Sequence, residues 1–203
     1  APAIELDVKL TYDNEIVVFH VLTLDRTTNG SGAVINTPLA ALRELDAGSH
    51  FSDEFKGEKI PTLTEVFEAV GQKVFINVEL TNYASPRDKL PDQVVELVRR
   101  FGLQKRVMFS SFSRIALQRA QALIPEVPIG LLAAPGILGA PARSWMGRRW
   151  VAYQAIHPEL RDAKSSLIRK AHERGQRVHV YTINLRESMQ QLFRDGVDGI
   201  FTD

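Results

Sequence analysis

Residues 73–110 read KVFINVELTNYASPRDKLPDQVVELVRRFGLQKRVMFS. The apolar, β-branched run at 73–80 is the length of a buried strand. Residues 90–101 place Val94, Val95, Leu97 and Val98 at helical spacing, and 106–110 is a second short apolar run. A strand, a helix and a strand in this order form a βαβ unit, which belongs to a parallel sheet.

The same alternation extends in both directions. Downstream the spacing predicts a helix at 114–124, a strand at 128–132, a loop-rich stretch AAPGILGAPARSWMGRR, and a strand at 150–156. A helix at 162–174 should end at Gly175, followed by a strand at 177–183, a helix at 186–194 and a strand at 198–201. Upstream, AIELDVKL reads as a strand, Tyr12-Asp13-Asn14-Glu15 as a turn, and the run to Phe19 as a returning strand. The polar stretch VLTLDRTTNGSG then precedes helical patterns at 38–45 and 63–70. No glycine-rich turn follows the first strand, as an open doubly wound sheet would require. Polar residues instead stand at the C-terminal ends of several strands: Asp7, Glu79, Ser110, His157 and Asn184. That placement favours an α/β fold of the (β/α) barrel kind, one domain over 1–203 with a small inserted lobe at about 37–61.

The 203 residues are 44% hydrophobic, enough for one substantial core, and 25 basic against 24 acidic side chains leave a net charge of +1. No overall field recruits nucleic acid or an anionic membrane. Arg143, Arg148 and Arg149 near Trp145 form a short, isolated group that reads as a solvated loop face. The absence of cysteine excludes disulfides and thiolate chemistry and leaves the compartment open, with the cytoplasm as default. No apolar run reaches the ~20 residues of a membrane span, and Ala1-Pro2-Ala3 carries no secretory leader pattern. Oligomeric state is not readable.

Glu5 and Asp7 are two positions apart on a strand, so they project to one face. Alternation with Ile4, Leu6 and Val8 turns the acids inward, where buried carboxylates need a compensating charge. Glu79 stands alone among the apolar residues of VFINVEL, near the end of its strand. Three carboxylates suit Ca²⁺ or Mg²⁺, with water completing the shell; the bland alternative pairs Glu79 with a neighbouring base. His20 follows IVVF at a strand mouth, where an imidazole can act as general acid or base near neutral pH. The DRTTNGSG segment, 25–32, offers an arginine, hydroxyls and glycine amides that would either contact phosphate or make a turn. His157 has a weaker claim than His20, and His50, His172 and His179 look ordinary.

The stretch IELDVKLTYDNEIVVFHVLTLDRTTNGSG resembles the core signature of the glycerophosphodiester phosphodiesterases. The resemblance continues through GEKIPTLTEVFEAV, INVELTNY, MFSSFS, VYTIN and GVDGIFTD, in order along essentially the whole chain. It implies a TIM-type barrel that hydrolyses a small-molecule glycerophosphodiester to glycerol 3-phosphate and an alcohol with a divalent cation. By the same resemblance Glu5, Asp7 and Glu79 match the metal ligands, and His20 matches the second of two catalytic histidines.

Three departures stand out. The family's opening strand with its His-Arg-Gly motif, the following Pro-Glu-Asn-Thr segment and the last helix have no counterparts, so the resemblance implies a partial barrel with little turnover. Val21 stands where the family usually has aspartate. Thr81 stands where many members have lysine, a cation that can reach phosphate. A relative that binds a cation without catalysis is the alternative reading; a sphingomyelinase D-like phospholipase fits less well, given the lobe.

Overall fold

The structure, a computed structural model, describes residues 3–203; Ala1, Pro2 and the side chain of Arg148 lie outside the described part. The chain divides into two compact units, one up to Val107 and one from Met108.

The first unit is built on three strands in the order β2-β1-β3. Strand β1 (Ala3–Leu10) turns through Thr11–Glu15 into β2 (Ile16–Val18), pairing antiparallel with Val8 opposite Val18 and Leu10 opposite Ile16. The turn closes with Thr11 N–H on Glu15 O at 2.9 Å, and Asn14 takes the left-handed conformation at φ 62° that asparagine tolerates. Strand β3 (Phe75–Leu80) runs parallel to β1 with Glu5 opposite Asn77 and Asp7 opposite Glu79. This register lays acids of two strands side by side.

Helix α1 (Leu39–Glu44) lies in the segment after β2, called the lobe below; its Leu42, with Leu24, Val34 and Ile60, packs on Val17 and Phe19 of the hairpin, and these six form the lobe core. Helix α2 (Leu63–Val70) starts with a capping box: Thr62 Oγ1 accepts from Glu65 N–H, and Glu65 Oε2 accepts from Thr62 N–H at 2.7 Å. Helix α3 (Leu90–Arg100) buries Leu90, Val94, Val95 and Val98, the apolar stripe its spacing predicts.

The second unit carries five parallel strands: β4 (Val107–Ser111), β5 (Ile129–Ala133), β6 (Ala155–Pro158), β7 (Arg177–Val180) and β8 (Gly199–Ile200). Between them lie α4 (Arg114–Leu123), α5 (Trp145–Trp150), α6 (Ser165–His172) and α7 (Arg186–Arg194). Two elements here differ from the sequence expectation. The strand expected at 150–156 starts only at Ala155, because Ser144 accepts from Met146 N–H and caps a short helix over Trp145–Trp150. The helix expected at 162–174 is split into a 3₁₀ turn at Leu160–Asp162 and α6, and Gly175 then leaves α6 at φ 71°.

Candidate metal and phosphodiester site

Glu5 and Asp7 share one face of β1, and Glu79 lies beside Asp7 on β3; oxygen atoms of the three carboxylates lie within 4.8 Å of one another. Desolvation and then the charges of Asp7 and Glu79 push the Glu5 carboxyl up to about 8. Glu5 nonetheless reaches solvent, so its like-charged neighbours are the firmer of the two causes. Burial pushes Asp7 up to about 6, against the pull of Lys9. Glu79 rises to about 7, from burial and then the Asp7 charge, although a hydrogen bond from Tyr83 O–H and the charges of Lys9 and His20 lower it. Three carboxylates held this close with less than matching positive charge make a candidate site for a hard divalent cation. The inward orientation expected of the pair holds for Asp7, whereas Glu5 stands exposed.

Lys9 continues the row, two residues beyond Asp7, and is 7% exposed. Its Nζ donates to Thr81 Oγ1 at 2.6 Å, and Thr81 in turn donates to Val8 O at 2.8 Å. Burial lowers the lysine's pKa, while Asp7 and Glu79 raise it. Sequence reasoning passed over Lys9, although the i, i+2, i+4 alternation of Glu5, Asp7 and Lys9 carried the signal.

Phe19 N–H donates to Asp7 O at 2.9 Å and extends the hairpin by one step, so the next residue, His20, emerges beside the carboxylates. A cleft of about 340 Å³ is lined by Glu5, Asp7 and His20 on the sheet side, with Thr27, His50 and Lys59 among the residues opposite. His50 had no signal in the sequence, because only the folding of the lobe turns it to this cleft. The 25–32 segment makes a turn: Leu24 N–H meets Gly32 O at 2.9 Å, and Asp25 accepts from Gly32 N–H at 3.2 Å. Arg26 projects from it, with Nη2 3.1 Å from His20 Nδ1. Val21 packs its side chain against the lobe core.

His157 stands near the C-terminal end of its strand, as expected. It is wholly buried within β6, with Nε2 3.2 Å from His179 Nδ1 in the second unit. His172 pairs with Asp198 at 2.8 Å on the surface of that unit.

The sequence match agrees with this geometry. The model of the Glycerophosphoryl diester phosphodiesterase family matches residues 1–203. The chain belongs to that family. Among its relatives, a glycerophosphodiester phosphodiesterase of Caldanaerobacter subterraneus is 36% identical over all of this chain and 82% of its own length. One from Bacillus altitudinis is 31% identical over all of this chain and 83% of its own. Among solved structures, an Oleispira antarctica phosphodiesterase in complex with the product sn-glycerol-3-phosphate superposes with a TM-score of 0.87 at 31% identity, covering 98% of this chain and 79% of that one. A glycerophosphodiester phosphodiesterase from Agrobacterium tumefaciens gives 0.84 at 28% identity, covering 100% and 84%. The fold of this family member is α/β of the TIM-barrel type, as the strand–helix alternation predicts. No described helix is long and apolar enough to cross a membrane.

Proposed function

We propose that this family member hydrolyses glycerophosphodiesters to glycerol 3-phosphate and an alcohol, with Glu5, Asp7 and Glu79 holding a divalent cation and His20 handling a proton. The observation that carries the reading is the convergence of three carboxylates, all pushed above the usual carboxylate range, beside a cleft that also receives an exposed imidazole. Ca²⁺ and Mg²⁺ both take oxygen ligands, and either would supply charge neutralisation for the phosphate when bound. The product held by the Oleispira antarctica phosphodiesterase supports the substrate class.

The chain's own residues do the remaining work. Tyr83 O–H donates to Glu79 and fixes the orientation of that carboxylate, as a partner behind a ligand does. Lys59, whose Nζ is held by the carbonyls of Glu44 and Leu45 at 3.2 Å each, lines the wall facing an anionic substrate. His20 is placed to bring its imidazole to an oxygen of the reacting ester. A cation-binding relative without turnover is not favoured, since the relatives from Caldanaerobacter subterraneus and Bacillus altitudinis, at 36% and 31% identity, carry enzyme names.

Two variants test this. Glu79→Gln should lose both cation affinity by calorimetry and hydrolysis of glycerophosphocholine. His20→Ala should keep the cation and lose at least about a hundredfold in turnover. Unchanged cation affinity in Glu79→Gln removes that residue from the ligand set; near-full turnover in His20→Ala removes the imidazole from the reaction.

A further inference from the structure

The guanidinium of Arg26 carries donors and no acceptor. Its Nη2 lies 3.1 Å from His20 Nδ1, so that ring nitrogen presents a lone pair and the neutral imidazole keeps its proton on Nε2. We propose that Arg26 is a positioning residue that holds His20 as the Nε2–H tautomer, so that the imidazole meets the phosphodiester as a hydrogen-bond donor and not as a base. This rests on the reading of His20 as the reacting imidazole.

The surrounding structure supplies the geometry. Arg26 ends the 3₁₀ turn Leu24–Arg26, whose Leu24 is anchored in the lobe core at 2% exposure. The turn is pinned by Leu24 N–H on Gly32 O, by Thr28 Oγ1 on Leu24 O at 2.8 Å, and by Gly30 N–H on Thr28 Oγ1 at 3.0 Å. Arg26 therefore projects from a preformed frame. The residue after His20 is Val21, packed against the lobe core, and its side chain offers no acceptor. A carboxylate against Nδ1 would select the opposite tautomer, with Nδ1 protonated and Nε2 bare; the guanidinium reverses that choice. Among the described residues His20 makes no hydrogen bond besides the one with Arg26, so Nε2–H is left for a substrate.

A neutral imidazole can polarise an oxygen by donation alone. A fixed donor contributes most where negative charge develops, which in ester cleavage includes the departing alkoxide oxygen. Help from His20 should then matter greatly for an alkyl alcohol, a poor leaving group, and little for p-nitrophenolate, which is stable as an anion.

The test compares the full chain with Arg26→Met, Arg26→Lys and His20→Gln, each with cation, on a glycerol phosphodiester of an alkyl alcohol and on the p-nitrophenyl analogue. Arg26→Met should lower kcat on the alkyl ester about tenfold or more and on the nitrophenyl ester less than about threefold, with KM little changed. Arg26→Lys, which keeps a donor, should recover part of the loss. Long-range proton–nitrogen NMR of the neutral imidazole should show the His20 proton on Nε2 in the parent and a tautomer mixture in Arg26→Met. A parent proton on Nδ1, or equal losses on both esters, overturns the proposal. If His20→Gln cleaves the alkyl ester normally, the reading of His20 fails and this inference with it. If His20→Gln is inactive on that ester while Arg26→Met is unimpaired, the assignment of Arg26 alone falls.

Discussion

Lys9 of β1 and Thr81, the residue that follows β3, meet with Nζ donating to Oγ1 at 2.6 Å, two positions beyond the paired Asp7 and Glu79. This buried ammonium lowers the proton affinity of both carboxylates. Lys9→Met removes that pull, so Asp7 and Glu79 hold their protons to higher pH and a cation must displace them there. The pH midpoint of Ca²⁺ or Mg²⁺ binding should therefore rise by roughly one unit, the effect of one partly screened charge several ångströms away. Calorimetric titrations across pH check this; a midpoint that stays put or falls removes Lys9 from the electrostatics of the site.

The same carboxylates make the stability of the cation-free protein depend on pH. Glu5 and Glu79 titrate near 8 and 7 in the native state against 4.5 as reference, and Asp7 near 6 against 3.8. Between the two sets of values the native state binds more protons than the unfolded one, so stability is full below about pH 4 and declines as pH rises to about 8. These three groups should give a falling denaturation midpoint over that window, and divalent cation should restore it at pH 8, by about 2.7 kcal/mol at a hundredfold excess over Kd. Glu79→Gln should flatten the slope. A slope identical in parent and variant sinks the argument.

The strands and helices were largely legible because buried strands of a parallel sheet are short apolar runs and the helices carry a stripe, as in Val94, Val95 and Val98. Glu5, Asp7 and Glu79 were legible as a pair on one face and a lone acid in an apolar strand, and the register then brought them together. Trp145–Trp150 was not, since six residues of helix carry too little periodicity to outweigh a glycine- and proline-rich context. His50 and the bond from Arg26 to His20 were hidden because both depend on how the lobe folds over residues distant in sequence. His157 was legible as a strand-end residue, since β6 ends one position later at Pro158, but its complete burial was not, because its neighbours His179 and Phe201 are distant in sequence.

The lobe that positions His50 and Lys59 is organised by one side chain. The Asp46 carboxylate accepts from Gly48 N–H at 2.9 Å, Ser49 N–H at 3.0 Å, Ser49 Oγ at 2.7 Å and Gly57 N–H at 3.1 Å, and these donors hold its pKa well below the usual carboxylate range. Gly57 sits at φ 91°, which a side chain rarely adopts. Asp46→Ala should loosen residues 46–58 while leaving the paired strands intact. Limited proteolysis with trypsin should then cut at Lys56 or Lys59 several-fold faster than in the parent, with far-ultraviolet circular dichroism unchanged. Equal cleavage rates would falsify the organising role.

Acid sensitivity should arise in the second unit from His157 and His179. Burial holds His157 far below its ordinary value and lowers His179 too, and each also feels a neighbouring positive charge. Among the described residues, Nδ1 of His157 has no hydrogen-bond partner. The native state thus refuses protons that the unfolded chain accepts below about pH 6.5, so this pair's contribution is full above that value and is lost as pH falls through it. The ring of His157 lies over Gly130, where an added Cβ would stand 2.4 Å from Cε1. Gly130→Ala should therefore cost about 1–3 kcal/mol at pH 8 through overpacking. His157→Leu should reduce the loss of stability between pH 7 and 5 relative to the parent. Denaturant midpoints measured at these pH values decide both points: a Gly130→Ala protein as stable as the parent excludes the close approach, and a His157→Leu protein with the parent's acid slope excludes the buried pair as its source.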